Sequence, residues 1–215
     1  MMKQKPSPRL YVIFAKRKPR AVILSRGPSD WYHVISWNTV KDTFDHGAWF
    51  KGRIYEEKCD ISPDGELLIY FALKGGLWNT NYKGSWTAVS KVPWLHALTL
   101  WPHGSTWGGG GCFDDDRSVI LRGSSGAHPD HPLNGLKVVE GNCNRVVPRP
   151  EIEEAEWSGF DQGGYPVFTS NGRLYRRLPR EDRELADFNG LTPNPAEAPA
   201  WAKTPLPTLV SSKNV

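Results

Sequence analysis

Four short apolar runs at near-regular spacing constrain this chain more than any other feature. They are Arg20-Ala21-Val22-Ile23-Leu24, Glu66-Leu67-Leu68-Ile69-Tyr70-Phe71-Ala72, Arg117-Ser118-Val119-Ile120-Leu121 and Arg173-Leu174-Tyr175-Arg176-Arg177, with starts 46, 51 and 56 residues apart. The last three each follow a polar turn: Ser62-Pro63-Asp64-Gly65, Asp114-Asp115-Asp116 and Ser170-Asn171-Gly172. Asn-Gly tolerates positive φ at both central positions of a hairpin turn, and Pro-Asp-Gly fixes φ at Pro while freeing it at Gly. Cys59-Asp60-Ile61, Gly111-Cys112-Phe113 and Pro166-Val167-Phe168-Thr169 precede those turns as partner strands. Trp31-Tyr32-His33-Val34-Ile35-Ser36-Trp37 and Trp86-Thr87-Ala88-Val89-Ser90 follow as outer strands. A unit of this size buries its apolar face only by stacking on its neighbours.

The expected fold is all-β, with about four propeller-like antiparallel repeat units making a small or incomplete β-propeller. A two-sheet β-sandwich is the alternative. The content of 10 Trp, 21 Gly and 18 Pro agrees with short strands and tight loops rather than a helical bundle. Ile61-Ser62-Pro63-Asp64-Gly65-Glu66-Leu67-Leu68-Ile69-Tyr70 resembles the hairpin of WD40-like and TolB-like β-propeller proteins. Over its whole length, notably at Trp94-Leu95-His96-Ala97-Leu98-Thr99-Leu100-Trp101-Pro102 and Trp107-Gly108-Gly109-Gly110-Gly111, the chain is similar to a family of uncharacterised bacterial proteins. The first resemblance implies a hairpin, and the second implies no activity. Three segments are expected: a basic arm over residues 1–8, one β-repeat domain over 9–190, and a Pro-rich tail over 191–215. Residues 180–188 read as a short helix.

The formal charge is +4, yet residues 1–20 contribute seven positive charges and no negative ones, so the remainder carries −3. Basicity is therefore terminal, and without a matching basic face a nucleic-acid partner is not expected. Cys59, Cys112 and Cys143 are an odd, widely spaced set with no CxxC, from which no disulfide framework or zinc ribbon follows. The longest N-terminal apolar run is too short for a secretory segment, and no stretch approaches a membrane span. The expectation is a reduced, cytoplasmic, soluble protein.

Among candidate sites, Asp114, Asp115 and Asp116 could offer oxygen ligands to calcium, but their place in the repeat makes them turn residues first. Residues 108–111 lack the Gly-Lys-Ser/Thr close of a phosphate loop and read as glycines permitting close backbone approach. His128 and His131 sit in a proline-stiffened loop, and a zinc site would need Cys112 and Cys143 beside them. No Gly-x-Ser-x-Gly or His-Glu-x-x-His is present. The best candidate surface lies in residues 92–107, where Trp94, Trp101, His103 and Trp107 could contact a ligand or partner. Residues 95–101 read as a buried inner strand, because both faces are largely apolar.

These features suggest a non-catalytic binding module making protein contacts through its rim loops, with no cofactor and no metal. The competing class is a small-molecule or carbohydrate-binding protein, or a hydrolase, using a Trp-lined pocket.

Overall fold

The computed structural model describes residues 6–27, 29–123, 126–143 and 148–209. Among these the chain is all-β, with sixteen strands in four sheets. The first sheet orders β1 (Arg9–Phe14), β2 (Arg20–Arg26), β3 (Trp31–Asn38) and β4 (Thr43–Lys51) as an antiparallel meander. The second holds β5 (Arg53–Ile54), β6 (Asp60–Ile61), β7 (Leu67–Leu73), β8 (Ser85–Lys91) and β9 (Thr99–Pro102), with β5 and β6 both pairing β7. The third pairs β10 (Gly111–Asp115) with β11 (Ser118–Leu121), and β11 in parallel with β12 (Lys137–Val138). The fourth is a meander of β13 (Trp157–Phe160), β14 (Pro166–Ser170), β15 (Arg173–Arg177) and β16 (Asp182–Asp187). Four separate sheets are not the two faces of a sandwich.

Three apolar clusters fix how the sheets stack. Val22, Leu24, Tyr32 and Val34 of the first sheet meet Leu68, Tyr70, Ala72 and Ala88 of the second. Ala21, Ile23, Ile35 and Trp37 meet Trp157, Val167 and Leu174 of the fourth. Leu67, Ile69, Val89 and Trp101 meet Phe113 and Val119 of the third, together with Leu136 and Leu206. The order is therefore fourth, first, second, third. This explains why β2 and β7 read as unbroken apolar runs: each sends alternate side chains into a different neighbouring sheet, so both faces are buried.

The sheets correct the fourth repeat. β2, β7 and β11 are each the second strand from the hairpin start of their sheet, whereas β15, the sequence match, is the third. The equivalent strand is β14. Starts at 20, 67, 118 and 166 give a more even repeat than the sequence alignment does. Its turn is built on Asp161, whose Oδ1 accepts from the N–H groups of Gly163 (2.9 Å) and Tyr165 (3.0 Å).

Three further expectations change. Within residues 180–188 the chain forms β16 over Asp182–Asp187, not a helix, because β15 presents a charged edge that this segment matches. Arg173 pairs with Glu184 and Asp187, and Arg177 with Asp182. The strand over 95–101 starts only at Thr99. The backbone before it is taken by side chains, with Leu95 O accepting from the Tyr70 hydroxyl (3.2 Å) and Ala97 O 2.9 Å from His131 Nδ1. Finally, Cys112 and Cys143 form a disulfide, their Cα atoms 5.6 Å apart, which leaves Cys59 as the free thiol.

In the C-terminal segment, the short helix α1 (Ala200–Lys203) rests on Lys91, whose ammonium donates to Trp201 O and Thr204 O at 2.8 Å each. Leu206 enters the third cluster, while Trp201 stays half exposed. No helix of the described residues is long and apolar enough to cross a membrane.

Candidate binding groove

The two ends of the stacked sheets differ in how their charges are satisfied. At the end where β1 finishes, neighbouring sheets are stitched together. Arg17 pairs with Asp115 and Asp116, Arg20 pairs with Glu66, and Asp116 Oδ1 accepts from the Asp64 N–H (3.0 Å). Gln162 Nε2 donates to Ala15 O, Lys18 O and Arg20 O (3.0, 3.0 and 2.8 Å). The acidic turn at 114–116 thus serves as a turn and an ion-pair acceptor. Among the described residues no group of three or more His, Cys, Asp or Glu side chains could hold a metal ion.

The end where β1 begins is open. A groove of about 630 Å³ is lined by Arg9, Tyr11, Arg26, Arg53, Tyr55, Glu56, Glu57, Lys58, Arg149, Glu156 and Trp157, with Leu10. Tyr11, Glu57, Arg149 and Trp157 also line a smaller cavity of about 140 Å³ beneath it. That cavity is reached by β1, β6, β10 and β13, so strands of all four sheets converge there. Arg53 is paired with Glu56 (3.1 Å), which also accepts from the Tyr32 hydroxyl (2.9 Å). Burial, and then the charges of Glu57 and Glu56 against that of Arg149, leave the Tyr11 phenol above its usual range.

Lys58 links the groove to the loop between β9 and β10. Its ammonium donates to Thr106 O (3.1 Å), Trp107 O (3.2 Å) and Gly108 O (3.5 Å). Gly109 and Gly110 continue the loop at φ of 90° and 85°. A side chain on either would collide, with the Phe71 ring for Gly109 and with Lys58 for Gly110. The glycine run therefore permits close approach, as its sequence context implies, and at its tip Trp107 is 93% exposed.

The four candidate residues are not brought into one pocket. Trp94 precedes β9 and Trp107 follows it, at opposite ends of the sheet. Trp101 is 3% exposed in the third cluster. His103 lies 2.8 Å from Thr87 Oγ1 and edge-on to Phe71, and burial lowers its pKa. None of the four lines the groove or the cavity below it. The aromatic residues that do are Tyr11, Phe14, Tyr55, Trp157 and Phe160. Sequence reasoning missed them because they come from three segments with no shared motif.

Other candidates have structural roles. His128 stacks on Tyr82 with centroids 4.6 Å apart, and His131 Nε2 lies 3.3 Å from the Tyr82 hydroxyl. Their loop covers the edge of β9: His128 N–H donates to Leu100 O (2.7 Å) and Leu100 N–H to His131 O (3.2 Å). The basic run of residues 1–20 is divided by β1, with Arg9 at the open end and Arg17 and Arg20 ion-paired at the other. Lys3 and Lys5 lie outside the described residues. Cys59 faces the small cavity, but burial pushes its thiol up to about 12, which removes the thiolate a nucleophile needs.

One buried titratable group sits apart from the groove. His33 is 2% exposed, stacks on Trp49 (centroids 4.1 Å apart), and has no hydrogen-bond partner for either ring nitrogen among the described residues. Burial, and then the neighbouring His46, lower its pKa to about 4. In the unfolded chain the value is about 6.5. Between those values the unfolded state binds the proton and the folded state does not, so stability falls as pH drops from about 6.5 towards 4 and is unaffected above. His33→Phe keeps the stack without the proton site. Denaturant titrations from pH 7 to 4 should show the wild type losing on the order of 2 kcal/mol more than this variant. Parallel pH profiles would refute the assignment.

No protein-family model matches the chain, and neither a curated protein nor a solved structure matches it.

Proposed function

We propose that this chain is a non-catalytic binding module whose four sheets serve as the blades of a small β-propeller and whose open end contacts another protein. The carrying observation is the asymmetry of the ends: one is neutralised by ion pairs between sheets, while the other keeps an aromatic and arginine-lined groove beside an exposed Trp107. Trp and Arg are the side chains that most often anchor protein interfaces. Lys58 holds the Trp107 loop before any partner arrives, which lowers the ordering cost of association. The groove also falls in the size range of small-molecule sites, and that supports the competing reading of a ligand-binding protein with Trp157 in place of the expected tryptophans.

The test is site-specific photocrosslinking in native lysate, with p-benzoylphenylalanine at position 107 or at exposed Val40 on the opposite end. A discrete protein adduct from position 107 alone supports the module. Equal labelling at both positions, or turnover of a generic ester, phosphate or glycoside substrate by the purified chain, overturns it. Trp107→Ala should change stability by no more than about 0.5 kcal/mol, because the ring is in solvent, while abolishing the adduct partner's capture.

A cytoplasmic setting, expected from the sequence, would keep Cys112 and Cys143 as thiols, since such compartments reduce structural disulfides. Alkylation of material taken directly from source cells decides it. Three modified cysteines place the working protein in a reducing compartment, and one places it in an oxidising compartment.

A further inference from the structure

We infer that Arg9 and Arg26 form a clamp for an anionic side chain of a peptide laid in the groove; this deepens the binding-module reading and rests on it. The two arginines are Cα partners at the first rung of the β1–β2 ladder, so they project from the same face of the sheet. Like charges placed directly opposite are destabilising in a ladder, and a cross-strand carboxylate normally relieves them. No carboxylate does so here. Neither Arg9 nor Arg26 makes an ion pair among the described residues, and the segments outside the description contain no Asp or Glu.

Arg117, Arg122, Arg149 and Arg180 likewise have no ion pair among the described residues, but the arrangement contrasts with that of most arginines. Arg17, Arg20, Arg53, Arg173, Arg176, Arg177 and Arg183 are each paired with at least one Asp or Glu. Arg9 and Arg26 also line a depression of about 290 Å³ that continues from the groove, with Pro6, Ser7, Gly27 and Ser29. Its lining has two hydroxyl donors and no carboxylate. Two guanidinium groups with adjacent hydroxyls suit a carboxylate or a phosphate, which accept several donors at once. In the groove proper Glu56, Glu57 and Glu156 balance Arg53, Lys58 and Arg149, so a uniformly acidic chain gains no net attraction there. The occupant is therefore an extended segment with an anion placed at the Arg9–Arg26 end and apolar or aromatic contacts to Tyr11, Tyr55 and Trp157.

Fluorescence anisotropy with three labelled peptides tests the clamp. Each has the sequence Gly-Trp-Gly-X-Gly, where X is glutamate, phosphoserine or glutamine. The full chain should bind the first two, and affinity should fall as salt rises, while the glutamine peptide binds at least tenfold more weakly. Phosphoserine preferred tenfold over glutamate would make the natural anion a phosphate ester, and parity would make it a carboxylate. Both results support the clamp. The double variant Arg9→Gln/Arg26→Gln should lose at least tenfold in affinity without a lower melting temperature, since it also removes the like-charge contact. Arg9→Lys/Arg26→Lys should recover part of the loss, and Lys18→Gln at the opposite end should have no effect.

Equal binding of the glutamine peptide, unchanged binding by the glutamine double variant, or no binding of any peptide overturns the clamp. Crosslinking from position 107 in that double variant separates the two claims. A retained adduct leaves the module reading standing when the clamp fails, whereas loss of every adduct in the wild type removes both.

Discussion

Arg176→Met is expected to lower the unfolding free energy by about 3–5 kcal/mol, the cost of breaking a buried ion pair by removing one partner. The Arg176 guanidinium is sunk between the first and fourth sheets. Its Nε donates to Asp161 Oδ2 (2.9 Å), and its two terminal nitrogens to Asp42 (2.9 and 3.0 Å) and Thr39 O (2.8 Å). The group also lies over the Trp37 ring, 5.6 Å from its centroid. Burial alone would lower the Arg176 pKa, yet the hydrogen bonds and charges of Asp42 and Asp161 outweigh it and hold the value above the ordinary arginine range.

The single residue fixes two turns at once. Asp42 occupies the turn between β3 and β4 at φ 50°, and Asp161 builds the turn that starts β14. With methionine at 176, both carboxylates would face a buried volume with one donor set removed. Arg183 and the Trp37 indole still reach Asp42, so Asp161 should carry most of the loss. Chemical denaturation of Arg176→Met and of Asp42→Asn/Asp161→Asn/Arg176→Met checks this. The triple variant should regain part of the stability, because an uncharged site of similar volume has no stranded charge. A loss below about 1 kcal/mol in the single variant would show that solvent reaches the triad and that the sheets are held by apolar packing alone.

How much of this was legible in the sequence depends on whether a feature is local. The hairpin turns at Asp64-Gly65 and Asp116 are local chemistry, and they lie where the residues said. The unbroken apolar runs of β2 and β7 announce strands buried on both faces. The fourth repeat was misplaced because two turn signals, Asp161-Gln162-Gly163-Gly164 and Ser170-Asn171-Gly172, compete within a dozen residues. Both make hairpins; which one starts the sheet is decided by Gln162 reaching the Ala15–Arg20 turn, a contact across 142 to 147 positions. The same limit hid the groove, whose residues come from β1, β2, β5 and the segment after it, and residues 149–157. The tryptophans crowded within residues 92–107 were conspicuous by density, and one short strand separates them.

Reduction of Cys112–Cys143 is expected to lower stability by about 3–4 kcal/mol, the loop-closure value for a separation of 31 residues. The effect should be concentrated in the third sheet, the smallest of the four, where β12 contributes only two residues. The closed loop carries Leu136 into the third cluster and lays residues 128–132 along β9. Cys143 O also accepts from Arg122 at 2.7 Å, so the bridge fixes the end of β11 beside the small cavity. Released, this loop would leave β9 as an uncovered edge with free backbone donors, a template for pairing with other chains.

The oxidised, denatured protein should therefore show one reactive thiol, Cys59, and three after reduction. Reductant should lower the melting temperature and speed proteolysis between residues 122 and 143 before the other sheets are cut. Cys112→Ala/Cys143→Ala should behave like the reduced wild type and ignore reductant. An identical melting curve with and without reductant, in protein shown to have lost the bridge, would mean that the His128 and His131 contacts hold the loop unaided and that the disulfide follows from proximity rather than contributing to the fold.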